Sequence, residues 1–83
     1  MDQIARTAKQ IGEIVRRHRR RRRTTQGALG SKAGLRQATV SKLEAGRPAT
    51  QLRTLLDVLA ALDLEIVIRP RTKASTKDIE DIF

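Results

Sequence analysis

Residues 25–46 read Thr25-Gln26-Gly27-Ala28-Leu29-Gly30-Ser31-Lys32-Ala33-Gly34-Leu35-Arg36-Gln37-Ala38-Thr39-Val40-Ser41-Lys42-Leu43-Glu44-Ala45-Gly46. Thr25 suits an N-cap, and Leu29 and Ala33 then fall on one helical face. Gly34 sits where a short helix commonly ends in a left-handed residue. Leu35 enters a turn, Val40 and Leu43 face inward on a second helix, and Gly46 closes it. The spacing predicts helices over 26–33 and 36–45, broken by one glycine-containing turn.

Upstream, Ile11, Ile14, Val15 and His18 recur at i, i+3, i+4 and i+7, which is one face of a helix over 8–22. Thr7 stands three residues before Gln10, the spacing of a capping box. Residues 1–6 read as a loosely held arm. Arg16, Arg17, Arg19, Arg20, Arg21, Arg22 and Arg23 crowd the helix end. Cations there are favoured by the helix dipole, but seven arginines exceed that need and repel one another. Phosphate neutralisation is the natural compensation. A polybasic membrane patch would call for a lipidation motif or an amphipathic apolar face, and neither accompanies the run.

Downstream, Arg47-Pro48-Ala49 forms a loop and Thr50 is placed to cap a helix over 51–62. Leu52, Leu55, Leu56, Leu59 and Leu62 form its core stripe, with an edge available to a dimer seam. After Asp63 the period changes. Leu64, Ile66 and Ile68 alternate with Glu65, Val67 and Arg69 until Pro70 stops the run, which predicts a strand over 64–69. One strand is not stable alone. The same strand of a second subunit is the expected partner, antiparallel across a two-fold axis. Residues 70–83 read as a flexible tail. Its end, Asp78-Ile79-Glu80-Asp81-Ile82-Phe83, is either solvated or orders on a protein partner, with Phe83 or Ile82 as anchor.

The chain has 83 residues, enough for one small domain over 1–69 plus that tail. So short a chain buries a modest core, which favours an oligomer. Eighteen Lys and Arg face nine Asp and Glu. Residues 1–47 hold thirteen of the bases and three of the acids, so the excess is localised, as in nucleic-acid binding proteins. Phe83 is the only aromatic residue, which disfavours single-strand and RNA modules that stack bases. There is no cysteine, no apolar run near the ~20 residues of a spanning helix, and no apolar core of a signal peptide at the N-terminus. A cytoplasmic setting fits. His18, without a second His or a Cys, reads as a partly buried core residue rather than a metal ligand. No paired carboxylates and no glycine-rich phosphate loop point to catalysis. The expectation is a non-enzyme with no metal, cofactor, small-molecule substrate or membrane partner.

In a helix-turn-helix the second helix lies in the major groove while the first crosses the backbone. The outward positions of the 36–45 helix are Arg36, Gln37, Ala38, Ser41 and Lys42. Gln37 can pair with adenine N6 and N7, Lys42 can donate to guanine O6 and N7, and Ala38 can touch a thymine methyl. Gln26 is placed to hold a phosphate, and Arg16, Arg17, Arg20, Arg21, Arg22, Arg23 and Arg47 are further phosphate candidates.

Thr25-Gln26, the Leu29 and Ala33-Gly34 spacing, and Val40-Ser41-Lys42-Leu43-Glu44-Ala45-Gly46 resemble the Xre/Cro–lambda-repressor type of helix-turn-helix protein over about residues 9–62. Arg36-Gln37-Ala38-Thr39-Val40-Ser41 and the strand after the fourth helix are similar to HipB-type antitoxins, dimeric operator-binding repressors that also hold a HipA-type serine/threonine kinase toxin. The resemblance implies a mainly α, four-helix domain with a strand that pairs across a dimer. It implies base readout by Arg36, Gln37, Ala38, Thr39, Ser41 and Lys42, and dimerisation through Leu64, Glu65, Ile66, Val67, Ile68 and Arg69. It also implies a structural ion pair between Arg19 and Glu44, which removes Arg19 from the phosphate set. The expected partners are a palindromic double-stranded operator, a second copy and a HipA-type kinase, in a bacterial, nucleoid-associated setting. Arg36 replaces a small hydroxyl cap, Arg23 replaces a helix-ending glycine, and Gly30 replaces an alanine of the pattern. A stand-alone regulator of the same fold is the alternative, and a purely protein-binding adaptor is a third reading.

Overall fold

The computed structural model describes residues 2–71. It contains four helices, α1 (Ala8–Arg21), α2 (Gln26–Ala33), α3 (Gln37–Glu44) and α4 (Leu52–Ala61). The first two start at threonine caps. Thr7 Oγ1 accepts from the Gln10 N–H at 3.0 Å, and Thr25 Oγ1 accepts from the Ala28 N–H at 3.0 Å. These bonds satisfy donors that a helix start otherwise leaves open. The Gln10 side chain reaches back one residue further than a capping box requires, accepting from the Arg6 N–H rather than that of Thr7. Arg36 caps α3 without any side-chain bond, as a long cationic residue must.

Two expectations fail at α4. Thr50 does not cap it: its hydroxyl donates to the Arg47 carbonyl at 3.0 Å, and Gln51 stands at the cap position without a side-chain bond. The leucine stripe is also rotated from the expected one. Val58 is fully buried and Leu59, Ala61 and Leu62 lie in the core, whereas Leu52 and Leu56 are 65% and 46% exposed. Leu55, Val58, Leu59 and Leu62 are the i, i+3, i+4, i+7 set that faces inward. Leu52 and Leu56 lie off that face, and Leu52 opens the helix.

The core gathers Val15 of α1, Leu29 of α2, Val40 and Leu43 of α3 and the buried face of α4, with Ile11, Ala33, Leu35, Leu55 and Leu64 packed around it. Two small residues set how closely the helices meet. A Cβ on Gly12 would lie 2.6 Å from the carbonyl oxygens of both Leu43 and Glu44, so α1 crosses directly over the end of α3. A Cβ on Gly30 would lie 2.7 Å from the Leu35 carbonyl oxygen, which lets the turn fold back on α2.

The strand expected over 64–69 is not formed. No residue from 64 to 71 belongs to a helix, turn or ladder. The physical reason is that a ladder needs a neighbour, and four helices supply none. Leu64 packs on the core, and beyond it the side chains become progressively exposed. Most of the tail, residues 72–83 with Ile82 and Phe83, lies outside the described residues.

Candidate nucleic-acid interface

The outer face of α3 is built by what holds its inner face. Val40, Leu43 and Glu44 are buried, so at 3.6 residues per turn the opposite positions are turned outward. Arg36, Gln37, Ala38, Ser41 and Lys42 are all exposed, and Thr39 is half-buried. Thr39 and Lys42 border a shallow hollow completed by Arg47, Thr50, Gln51 and Thr54. The loop after α3 and the start of α4 therefore form one wall beside the outer face of α3.

Behind α3, Glu44 ties three elements together. Arg19 Nε donates to Glu44 Oε2 at 2.6 Å and the second guanidinium nitrogen donates to Oε1 at 3.0 Å. Arg19 also donates to the Thr24 carbonyl at 2.8 Å. The two side chains are only 12% and 3% exposed. The Arg19 guanidinium is raised above its ordinary pKa chiefly by the hydrogen bond to Glu44, with desolvation opposing and the Glu44 charge assisting. Gln26 Nε2 adds a third bond to Glu44 Oε1 at 3.1 Å. Removing one partner of such a buried pair strands a charge, at a cost of about 3–5 kcal/mol.

The arginine run divides accordingly. Arg19 turns inward, while Arg16, Arg17, Arg20, Arg21, Arg22 and Arg23 are exposed. Arg22 leans toward Asp63, 3.4 Å away across the surface. Arg47 is exposed at the exit of α3. Gln26 is half-buried and engaged with Glu44, a partner that its place at the start of α2 did not reveal. An amide nitrogen carries two hydrogens, so Gln26 retains one for an acceptor outside the fold.

His18 is half-buried, in line with the expected partly buried position. Its Nε2 donates to Gln3 Oε1 at 2.7 Å and fastens the N-terminal arm to α1. Burial, then the charges of Arg21, Arg22 and Arg17, lower its pKa from the ordinary value. No sequence pattern announces Gln3 as its partner. Among the described residues no helix is long and apolar enough to cross a membrane.

Comparison with known proteins assigns the class. The Helix-turn-helix family model matches residues 15–68, and the chain belongs to the helix-turn-helix family. A curated relative from Sinorhizobium fredii, the uncharacterized HTH-type transcriptional regulator y4dL, is 38% identical over 61 residues. The match takes in 74% of this chain and 31% of the relative, so the chain spans about a third of that protein. Among solved structures, a HipB variant in complex with an O2 20mer aligns with a TM-score of 0.81 at 26% identity, over 87% of this chain and all of that one. HipB in a HipA–HipB–O2–O3 complex aligns at 0.80 and 27%, over 86% of this chain and all of that one. The fold is thus a DNA-binding helix-turn-helix of the kind found in transcriptional regulators.

Proposed function

We propose that this chain is the operator-reading, dimerising unit of a transcriptional repressor that also serves as antitoxin to a HipA-type serine/threonine kinase. The observation that carries the DNA half is the α3 surface. Arg36, Gln37, Ala38, Ser41 and Lys42 stand outward on a helix braced from behind by Glu44. In this reading those residues and Thr39 address base edges. Gln26, Arg16, Arg17, Arg20, Arg21, Arg22, Arg23 and Arg47 hold phosphates, and residues 64–69 join two copies. Two recognition helices then meet one face of the duplex about 34–36 Å apart. Likeness to HipB bound to a 20mer, and to HipB in a complex with HipA, supports the two kinds of partner.

Operator selection from a random duplex library, followed by titration, tests it. Gln37→Ala should lose about 1–3 kcal/mol on the selected site and relax preference at one base pair. Arg20→Ala should weaken all duplexes alike and lower the salt slope by about 1. Equal, sequence-independent losses in both variants would remove Gln37 from the readout. For the kinase half, the chain co-expressed with a HipA-type kinase from the same genome should co-purify and relieve its toxicity. The relative named a transcriptional regulator favours a second reading, a regulator without a toxin, in which DNA binding stands and the kinase neither co-purifies nor is restrained.

A further inference from the structure

We infer that two copies pair their 64–69 segments in one register, centred on Val67. Glu65 of each copy then faces Arg69 of the other, Ile66 faces Ile68, and Val67 faces itself. The inference rests on the dimer reading above and names the geometry that reading leaves open.

Among the described residues no strand lies beside the segment, and residues 2–6 of the N-terminal arm line a hollow with it. The Leu64 N–H still bonds to the Leu59 carbonyl at 2.8 Å. Among the described residues no backbone hydrogen bond involves Glu65, Ile66, Val67 or Ile68. Their side chains open in sequence, with Ile66 47%, Val67 64% and Ile68 93% exposed. Three consecutive β-branched residues with open donors and acceptors form a template for another strand. Beside them runs a groove whose apolar lining includes Ile11, Ile14, Leu55, Leu59, Leu64 and Ile66.

Charge selects the register. In a two-fold antiparallel pair one residue lies opposite its own copy. Were this Ile66, the Glu65 carboxylate would oppose Val67. Were it Ile68, the Arg69 guanidinium would oppose Val67. Centred on Val67, two Glu65–Arg69 pairs form by symmetry and every apolar residue meets an apolar one. Along a strand Leu64, Ile66 and Ile68 share a face. Leu64 is on the core, so in this register Ile68 of the second copy sits beside Ile66 on the core side, over the groove.

The chain contains no cysteine, which makes the test direct. Glu65→Cys, Ile66→Cys, Val67→Cys and Ile68→Cys are introduced singly into the full chain. Each is oxidised mildly and read on a non-reducing gel, with sedimentation of the unaltered chain in parallel. In the proposed register Val67→Cys has its copy directly opposite. The two copies of position 66, or of 68, lie about 7 Å apart along the strands, and those of 65 about 13 Å. Val67→Cys should therefore cross-link at least about tenfold faster than the others, since a disulfide needs Cβ atoms within about 4.5 Å. Fastest cross-linking at 66 or 68, or at none of the four while the chain sediments as a dimer, overturns the register and leaves the dimer standing. A monomer in sedimentation overturns the dimer reading and the register with it. A charge exchange reads the same geometry without oxidation. Glu65→Arg should weaken the dimer about tenfold, or 1.4 kcal/mol, and adding Arg69→Glu should restore it. A dimer indifferent to Glu65→Arg, or not rescued by the second change, counts equally against the register.

Discussion

The four helices end in the same hydrogen-bonded turn, yet the two ends inside the helix-turn-helix differ from the two that flank it. In each, an N–H reaches back five residues: Thr24 to Arg19, Leu35 to Gly30, Arg47 to Lys42 and Leu64 to Leu59. In each, the residue before that N–H is left-handed. It is Gly34 at φ 75° and Gly46 at φ 80° within the motif, but Arg23 at φ 53° and Asp63 at φ 57° outside it. This is the Schellman arrangement, which favours glycine because a side chain crowds the backbone there. At Gly46 space forbids a side chain as well: a Cβ would lie 2.7 Å from the Lys9 Cα. Gly34 has nothing within 4 Å, so only its backbone angle is at stake. At the flanking ends charged residues remain in spite of the strain. Asp63 faces Arg22, and Arg23 is the last of the arginine run. The backbone bonds define these turns, and the residue at the bend reflects what else the position is used for.

Substitutions at the bends can break or sharpen that contrast, all read by denaturant unfolding. Gly46→Ala should lose most, about 2–4 kcal/mol, because angle strain and a backbone collision add. A loss below about 1 kcal/mol would show that the Lys9 turn yields readily. Gly34→Ala should lose about 1 kcal/mol, strain partly offset by the stiffer unfolded chain. A loss matching Gly46→Ala would mean that space plays no part in the difference. Arg23→Gly should stabilise by about 0.5 kcal/mol, relief of strain less the added unfolded-state freedom. Destabilisation instead would show that the Arg23 side chain supports the fold. Asp63→Gly should come out near zero, since the exposed pair with Arg22 is worth roughly 0–1 kcal/mol. In 1 M salt, where that pair is screened, Asp63→Gly should approach the gain of Arg23→Gly.

Local chemistry made most of the scaffold legible. Thr7, Thr25, Gly34 and Gly46 mark helix ends within the chain's own vocabulary, and the observed helices lie within one residue of the expected ones. What stayed hidden depends on distant neighbours. Val58 hides behind five leucines because a stripe of large residues draws attention from the smaller one between them. Gly12 looks like a flaw in α1 until α3 is seen against it. Arg19 and Glu44 are 25 positions apart, and only the family resemblance pairs them. Gln26 reads as an outward residue because nothing near it in sequence hints at the Glu44 carboxylate. The alternation over 64–69 describes what a strand would need, and a single chain has no means to meet that need.

The brace on Glu44 also bears on how such a protein changes over time. The buried side chains of α3 are Val40, Leu43 and Glu44. The side chains of Gln37, Ala38, Ser41 and Lys42 are exposed and take no part in that burial. Mutation can rewrite those four positions while the helix keeps its seat. On the proposed readout, descendants of one ancestral chain can drift apart in the duplex they prefer without first acquiring stability to spare.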